Sequence, residues 1–240
     1  MYNIAIVSEP TFERLNHVEP GARTVLLACA TVIEEMVPHL PPDISYQVLD
    51  FGLHVDPEAL KRTLQETIDG VPPSVETILL GYGLCSMAVV GLSSNRCRLV
   101  VPRVDDCIAI FLGSSEAYQA QRDAAPGTYY VTKGWIEAGD LPFAEYDRLV
   151  EAYGEEKAEW LMDQMLNNYT RLALINTGQY ALDRYRDYCH RTANRFGLCF
   201  EEIPGSDTLV RKMLHGPWDD AFVVAPPGRA ITFLDFIDLG

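Results

Sequence analysis

The chain has 240 residues, 48% of them hydrophobic, and sets 34 acidic against 19 basic side chains for a formal charge of −15. That is a globular composition, and the acidic excess repels an extended phosphate backbone, so nucleic acid is not an expected partner. The longest clean apolar run, TVLLACATVI at 24–33, falls well short of the ~20 residues that span a bilayer, and six dispersed cysteines do not make a dense secreted framework, so a soluble cytoplasmic protein with reduced thiols is expected.

Near the N-terminus, NIAIVSEP reads as an edge strand followed by a turn. TVLLACA (24–30), SYQVLDF (45–51), VETILLG (75–81) and RLVVPRV (98–104) are short apolar, β-branched runs, with helical pieces between and after them. Such alternation argues for βαβ units and a parallel sheet. Asp56-Pro57-Glu58 places an N-cap before a proline at the first helical position, and Leu60, Leu64 and Ile68 keep helical spacing up to the stop at Gly70. DCIAIFLGSSEAYQAQRD follows the fourth run as a further helical piece, whereas residues 126–148, with GTYY, KGW and LPF, carry no pattern that assigns them. EAYGEEKAEWLMDQMLNNY predicts one long helix bridging to a second section. There TRLALINTG, YALDRYRDYCHRTANRFG, LCFEEIPG, SDTLVRKMLHG and DAFVVAPPG read as strand, helix, strand, helix, strand. The fold class expected is α/β, with two Rossmann-like lobes carrying parallel sheets. The larger N-terminal lobe, 1–148, faces across a cleft the bridging helix and smaller C-terminal lobe, 149–240.

Ligands of open parallel α/β sheets bind outside the carboxyl ends of the strands. The first run ends at Cys29, the second runs on to His54, the third reaches Cys85 in GYGLC, and the fourth is followed by Asp105, Asp106 and Cys107. Three thiols and an imidazole on one edge are a donor set for zinc, and three thiolates alone can hold an iron–sulfur cluster. Each cysteine taken singly also suits a buried core position, and no CxxC pair supports the set. Thiols beside glycine-rich turns and helix starts are expected to have lowered pKa values, and Gly81 and Gly83 to let the backbone come close to the site. Glu34, or its neighbour Glu35, and Asp106 are candidate acid/base groups, the latter also serving as an N-cap. Arg103 is a candidate to orient a ligand.

Gly178, Gly205 and Ser206 fall at strand ends of the second section, and Gly205-Ser206-Asp207 before a helix offers donors for an anion. Cys97, Cys189, His190 and Cys199 read as structural, with Cys199 buried, and His17, His39 and His215 have nothing convergent nearby. GxGxxG, GxxxxGK[ST] and GxSxG are all absent.

The stretches LLACATVIEEM, GLHVDPEAL, GYGLC, VPRVDDCIAIFLGS, PGTYYVTKGWIE, YGEEKAEWL and GPWDDAFVVAPPG resemble the family catalogued as domain of unknown function 1638, over about residues 24–230. The resemblance implies that Cys29, His54, Cys85, Asp106 and Cys107 belong to family motifs, and that Asp105 stands where members often carry a histidine. It also implies an association with corrinoid-dependent methyltransferase systems. Two functions follow as expectations. One is an enzyme using a thiolate-held metal on a small molecule in the cleft, by methyl or sulfur transfer. The other is an accessory protein of a corrinoid protein or methyltransferase, with a structural metal.

Overall fold

The computed structural model describes residue 18 and residues 21–138 and 142–237. The edge strand expected in NIAIVSEP and His17 lie outside them. Four apolar runs form strands where their patterns place them: β1 (Thr24–Cys29), β2 (Ile44–Leu49), β3 (Thr77–Gly81) and β4 (Arg98–Pro102). They pair in parallel in the order β2-β1-β3-β4, and β8 (Phe222–Ala225) adds antiparallel to the far side of β4. Strands covered on both faces need continuous apolar sequence. Val25 to Ala28 and Ile78 to Leu80 are accordingly fully buried.

Helix α1 (Ala30–Met36) leaves β1 at once, and α2 (Pro57–Gly70) joins β2 to β3. The Asp56 side chain accepts from the N–H groups of Glu58 and Ala59, so the Asp-Pro-Glu start acts as the sequence indicates. Leu60, Leu64 and Ile68 are the buried stripe of α2. From β1 the chain turns to one side to make β2, then crosses to the other side to make β3. The crevice at the carboxyl ends of β1 and β3 is therefore a topological switch point, where α/β sheets take their ligands.

The chain divides into two compact units, one built from residues up to Ser115 and from Asp207 onward, the other from Glu116–Ser206. The second holds a three-stranded parallel sheet, β5 (Thr128–Val131), β6 (Arg171–Asn176) and β7 (Cys199–Pro204), in sequence order. Its core gathers Val131, Met162, Leu172, Leu174, Tyr185 and Cys189 among others.

Several expectations are corrected. SDTLVRKMLHG and DAFVVAPPG become α9 (Thr208–His215) and β8 of the first unit, so the last strand is an antiparallel edge there and not a third parallel strand of the second sheet. The unassigned GTYY is β5, which opens the second sheet, and α5 (Lys133–Ala138) follows it. The bridging helix is two, α6 (Pro142–Tyr153) and α7 (Glu155–Leu166), because Gly154 takes φ 82° between them. Gly113, at φ 88°, likewise separates α3 (Cys107–Leu112) from α4 (Ser115–Ala124). A positive φ ends a right-handed helix and suits glycine. Among the described residues no helix is long and apolar enough to cross a membrane.

Candidate functional site

Cys29 ends β1 and occupies the cap position of α1 with extended backbone angles, φ −75° and ψ 162°. It is 1% exposed, and its Sγ lies 3.2 Å from the Thr31 hydroxyl oxygen. His54 stands in the single helical turn Phe51–Val55 that follows β2, where the Asp50 carboxylate accepts from the Gly52 N–H at 2.7 Å. From there the imidazole hydrogen-bonds the Cys29 sulfur. Burial alone would push the Cys29 thiol up. The charge and hydrogen bond of His54, helped by the Thr31 hydroxyl and the Val32 N–H, outweigh it and hold Cys29 below the ordinary thiol range. An imidazole that lowers the pKa of a neighbouring thiol is the arrangement that activates nucleophilic cysteines.

Tyr82 follows β3 and is 1% exposed. Its ring lies parallel-offset to that of His54, centroids 6.3 Å apart with 25° between planes. The hydroxyl is buried without a hydrogen-bond partner among the described residues. Burial first, then repulsion from the Cys29 and Cys85 sulfurs when ionised, pushes its pKa well above the ordinary phenol, so the hydroxyl keeps its proton and can donate it. A tyrosine directly after an apolar run reads as core in the sequence, and the GYG setting was the one signal that this ring lies at a strand end.

Beyond Tyr82 the chain runs beside the segment leaving β4. Leu84 donates to the Val104 carbonyl at 2.8 Å and Cys85 to that of Asp105 at 3.0 Å. Cys85, Ser86 and Met87 then take φ values of 45°, 53° and 75°, three successive non-glycine residues in the left-handed region. Each costs roughly 1–2 kcal/mol, a concentration of strain typical of functional turns. The Cys85 thiol departs from the expected lowering. Burial first, then the negative charges of Cys29 and Asp106, push it up to about 12 against the opposing Gly83 N–H, so Cys85 keeps its proton beside a thiol whose pKa is lowered.

The chain belongs to the family described as "Protein of unknown function (DUF1638)". The family model matches residues 48–214, a narrower span than the resemblance in sequence; His54, Tyr82, Cys85, Arg103 and Cys107 fall inside it, and Cys29 precedes it. No curated protein and no solved structure matches the chain.

In this DUF1638 chain the other expected site residues are placed as follows. Cys107 begins α3 on the same sheet edge, 5% exposed, and Asp106 caps that helix by accepting from the Ile108 N–H at 2.8 Å. The four expected zinc ligands lie along one edge, with Cys29 and His54 bonded to each other and Cys85 within electrostatic reach of Cys29. Among the described residues, however, no three His, Cys, Asp or Glu side chains are grouped so as to hold a metal ion. On α1 the fully buried acid is Glu35, at 5% exposure, while Glu34 is half-buried.

The room beside Gly81 and Gly83 is taken by protein. A Cβ on Gly81 would come within 2.7 Å of Ala28 Cβ, and one on Gly83 within 2.8 Å of Asp106 N. In the second unit the Gly178 N–H is bound by the Asn176 side chain and the Gly205 N–H by the Asn176 carbonyl, so neither is offered to an anion. Ser206 follows directly, and the Asp207 carboxylate at the start of α9 pairs with Arg211 and lies 3.3 Å from His39. Cys97, at the amino edge of β4, donates to the Val75 carbonyl, and Cys189 is buried in α8 (Asp183–Arg195). Cys199 is exposed, because β7 is an edge strand.

Proposed function

We propose that this protein is an enzyme in which the Cys29 thiolate attacks a small electrophile, with methyl or sulfur transfer as the reaction. The observation that carries the reading is the Cys29–His54 hydrogen bond at the switch point of the sheet, which lowers the pKa of a fully buried thiol. A buried thiolate is costly unless paired, and at Cys29 the His54 imidazole, the Thr31 hydroxyl and the Val32 N–H all favour the charged form.

In methyl transfer the Cys29 electron pair forms the S–C bond while the bond from carbon to the leaving group breaks with its pair. In sulfur transfer the same pair attacks a sulfane sulfur and displaces a thiolate. His54 then gives its proton to the departing group, so charge does not build up in the buried site. The neutral Cys85 thiol stays beside the nucleophile without competing with it.

Zinc is the second reading, with an iron–sulfur cluster as its variant and an accessory role for a corrinoid methyltransferase as its functional consequence. The donor chemistry of Cys29, His54, Cys85 and Cys107 suits a soft metal. The grouping does not, since no three such side chains are gathered among the described residues.

Thiolate absorbance in the far ultraviolet, followed against pH, tests the first reading without a reagent having to enter the site. One thiolate should titrate below the ordinary thiol range, vanish in Cys29→Ser and move upward in His54→Ala. Metal analysis of anaerobically purified protein tests the second. About one zinc per chain, reduced in Cys85→Ser and Cys107→Ser but not in Cys189→Ser, would favour the metal. Metal-free protein with no low-titrating thiolate would remove both.

A further inference from the structure

We propose that the substrate of this site carries an oxyanion, a carboxylate or phosphoryl group, held by the Tyr82 hydroxyl and the Arg103 guanidinium at the carboxyl ends of β3 and β4. The inference takes the substrate's location from the thiolate reading and adds its charge and size.

Two buried donors lack partners at this edge. The Tyr82 hydroxyl and the Arg103 Nε are both shielded from solvent and without a hydrogen bond among the described residues. Leaving such a group unsatisfied is costly, so each orphan in a folded protein asks for an explanation. Here the two are neighbours. β3 and β4 pair in parallel, and Tyr82 is the first residue past the end of β3 as Arg103 is the first past the end of β4, so the two stand at the carboxyl ends of adjacent strands. The two segments stay together past this point, since Leu84 donates to the Val104 carbonyl.

The nucleophile lies on the other side of Tyr82. Ala28 pairs with Gly81, so the next residues, Cys29 and Tyr82, stand opposite each other across β1 and β3. Residues at equal register on adjacent parallel strands leave the same face of the sheet. The preceding row demonstrates this, because a Cβ on Gly81 would point at that of Ala28. Cys29 and Tyr82 therefore stand side by side at the switch point, and Arg103, the first residue past the end of β4, lies at the neighbouring strand end. With strands about 4.8 Å apart, the sulfur-bearing residue and the guanidinium-bearing one are roughly 10 Å apart at the backbone, a span for a molecule of a few heavy atoms.

Beyond Cys29, the two neighbouring strand ends offer donors. Arg103 is a cation whose planar fork matches carboxylate and phosphate, and the Tyr82 hydroxyl keeps its proton and can donate it. The nearby Asp106 carboxylate caps α3. In a chain of net charge −15, long-range attraction does not bring an anion in, so short-range donors must hold it.

The test is calorimetric titration of the full chain carrying Cys29→Ser, which removes thiol chemistry, with acetate, inorganic phosphate and, as the neutral control, acetamide. Saturable binding of acetate or phosphate but not acetamide is expected, weakened roughly tenfold or more by a further Arg103→Gln and several-fold by Tyr82→Phe. Preference between acetate and phosphate names the substrate's acidic group. Tyr82→Phe deletes only an unsatisfied hydroxyl, so without anion it should melt no lower than its parent while losing part of the anion-induced rise in Tm. No saturable anion binding, binding indifferent to both substitutions, or a lower Tm for Tyr82→Phe without anion would each overturn the proposal. Because Cys29 is absent from the assay, such failure leaves the thiolate reading standing, and loss of the low-titrating thiolate leaves the anion seat standing.

Discussion

Gly83 lies against the backbone of Asp106, so that a Cβ at position 83 would come within 2.8 Å of the Asp106 nitrogen and 2.9 Å of the Val104 oxygen. The obstructing atoms are main chain and cannot swing aside. This contact brings the segment leaving β3 against the one leaving β4 and sets the start of the Cys85 turn. Gly83→Ala should therefore cost about 1–3 kcal/mol, seen as a fall in Tm of several degrees. At Gly70, the last residue of α2, a Cβ meets nothing within 4 Å, so Gly70→Ala should leave Tm level or slightly higher. Equal effects in thermal unfolding would contradict the packing argument.

The two site thiols make opposite contributions to stability as pH changes. Cys85 has its folded pKa raised from the ordinary 9.0 to about 12. Between those values the folded protein keeps a proton that the unfolded chain has lost. Its contribution is thus fully present below about 9 and fades as pH rises toward about 12, on the order of a few kcal/mol. Cys29 is lowered, so its contribution is present above the ordinary thiol pKa and is lost as pH falls through the folded value. Urea denaturation at a series of pH values should show Cys85→Ser losing less stability above pH 9 than the parent. Parallel curves for the two proteins would refute the raised Cys85 thiol.

Met87 tests the strain in the same turn. It is 44% exposed and holds φ 75°, a conformation that an L side chain adopts at a cost. Met87→Gly removes that cost without emptying a core position, although glycine gains freedom in the unfolded chain. A net stabilisation of about 0.5–1 kcal/mol is expected, with the Cys29 titration unmoved. A destabilised Met87→Gly in urea denaturation would mean that the side chain has a packing role here.

The sheet edge was legible in the sequence because strand ends follow from apolar runs, and parallel strands all present their carboxyl ends on one side. Placing Cys29, His54, Cys85 and Cys107 there required only that the runs be adjacent, and β1, β3 and β4 are. Which of these groups would pair was not legible. The Cys29–His54 bond depends on how the turn after β2 folds back, and nothing in Phe51–Val55 announces it. Tyr82 was hidden for a related reason: an orphaned hydroxyl is a property of surroundings, and the letter Y beside LLG says core. The misplacement of β8 has another origin. Four apolar residues, FVVA, can complete either sheet equally well, and proximity in sequence favoured the wrong one. Gly154 and Gly113 were visible, but a glycine within a periodic pattern does not reveal its φ.

Arg171 ties the second unit together, and its loss gives the last prediction. It opens β6 and is 9% exposed, yet its guanidinium is engaged on three sides. Nε donates to the Thr128 hydroxyl at 2.7 Å, and the terminal nitrogens donate to Glu201 at 2.6 Å and Gln121 at 2.9 Å. These partners belong to β5, β7 and α4, so one side chain joins the strands on both flanks of β6 and a helix. The two ends of the ion pair are unequal, because the Glu201 side chain is 51% exposed against 11% for Arg171. Water can replace the arginine at Glu201 but not the carboxylate, hydroxyl and amide together at Arg171. Arg171→Met should therefore cost about 2–3 kcal/mol, chiefly through the buried Thr128 and Gln121 contacts it abandons. Glu201→Gln, which keeps an acceptor at an exposed position, should cost less than about 1 kcal/mol. Hydrogen exchange of the β5, β6 and β7 amides is the measurement to use, since it reports opening of this unit separately. Faster exchange there in Arg171→Met, with amides of β1 and β3 unchanged, is the expected result. Equal losses in the two variants would show that the exposed ion pair, and not the buried hydrogen bonds, holds the strands.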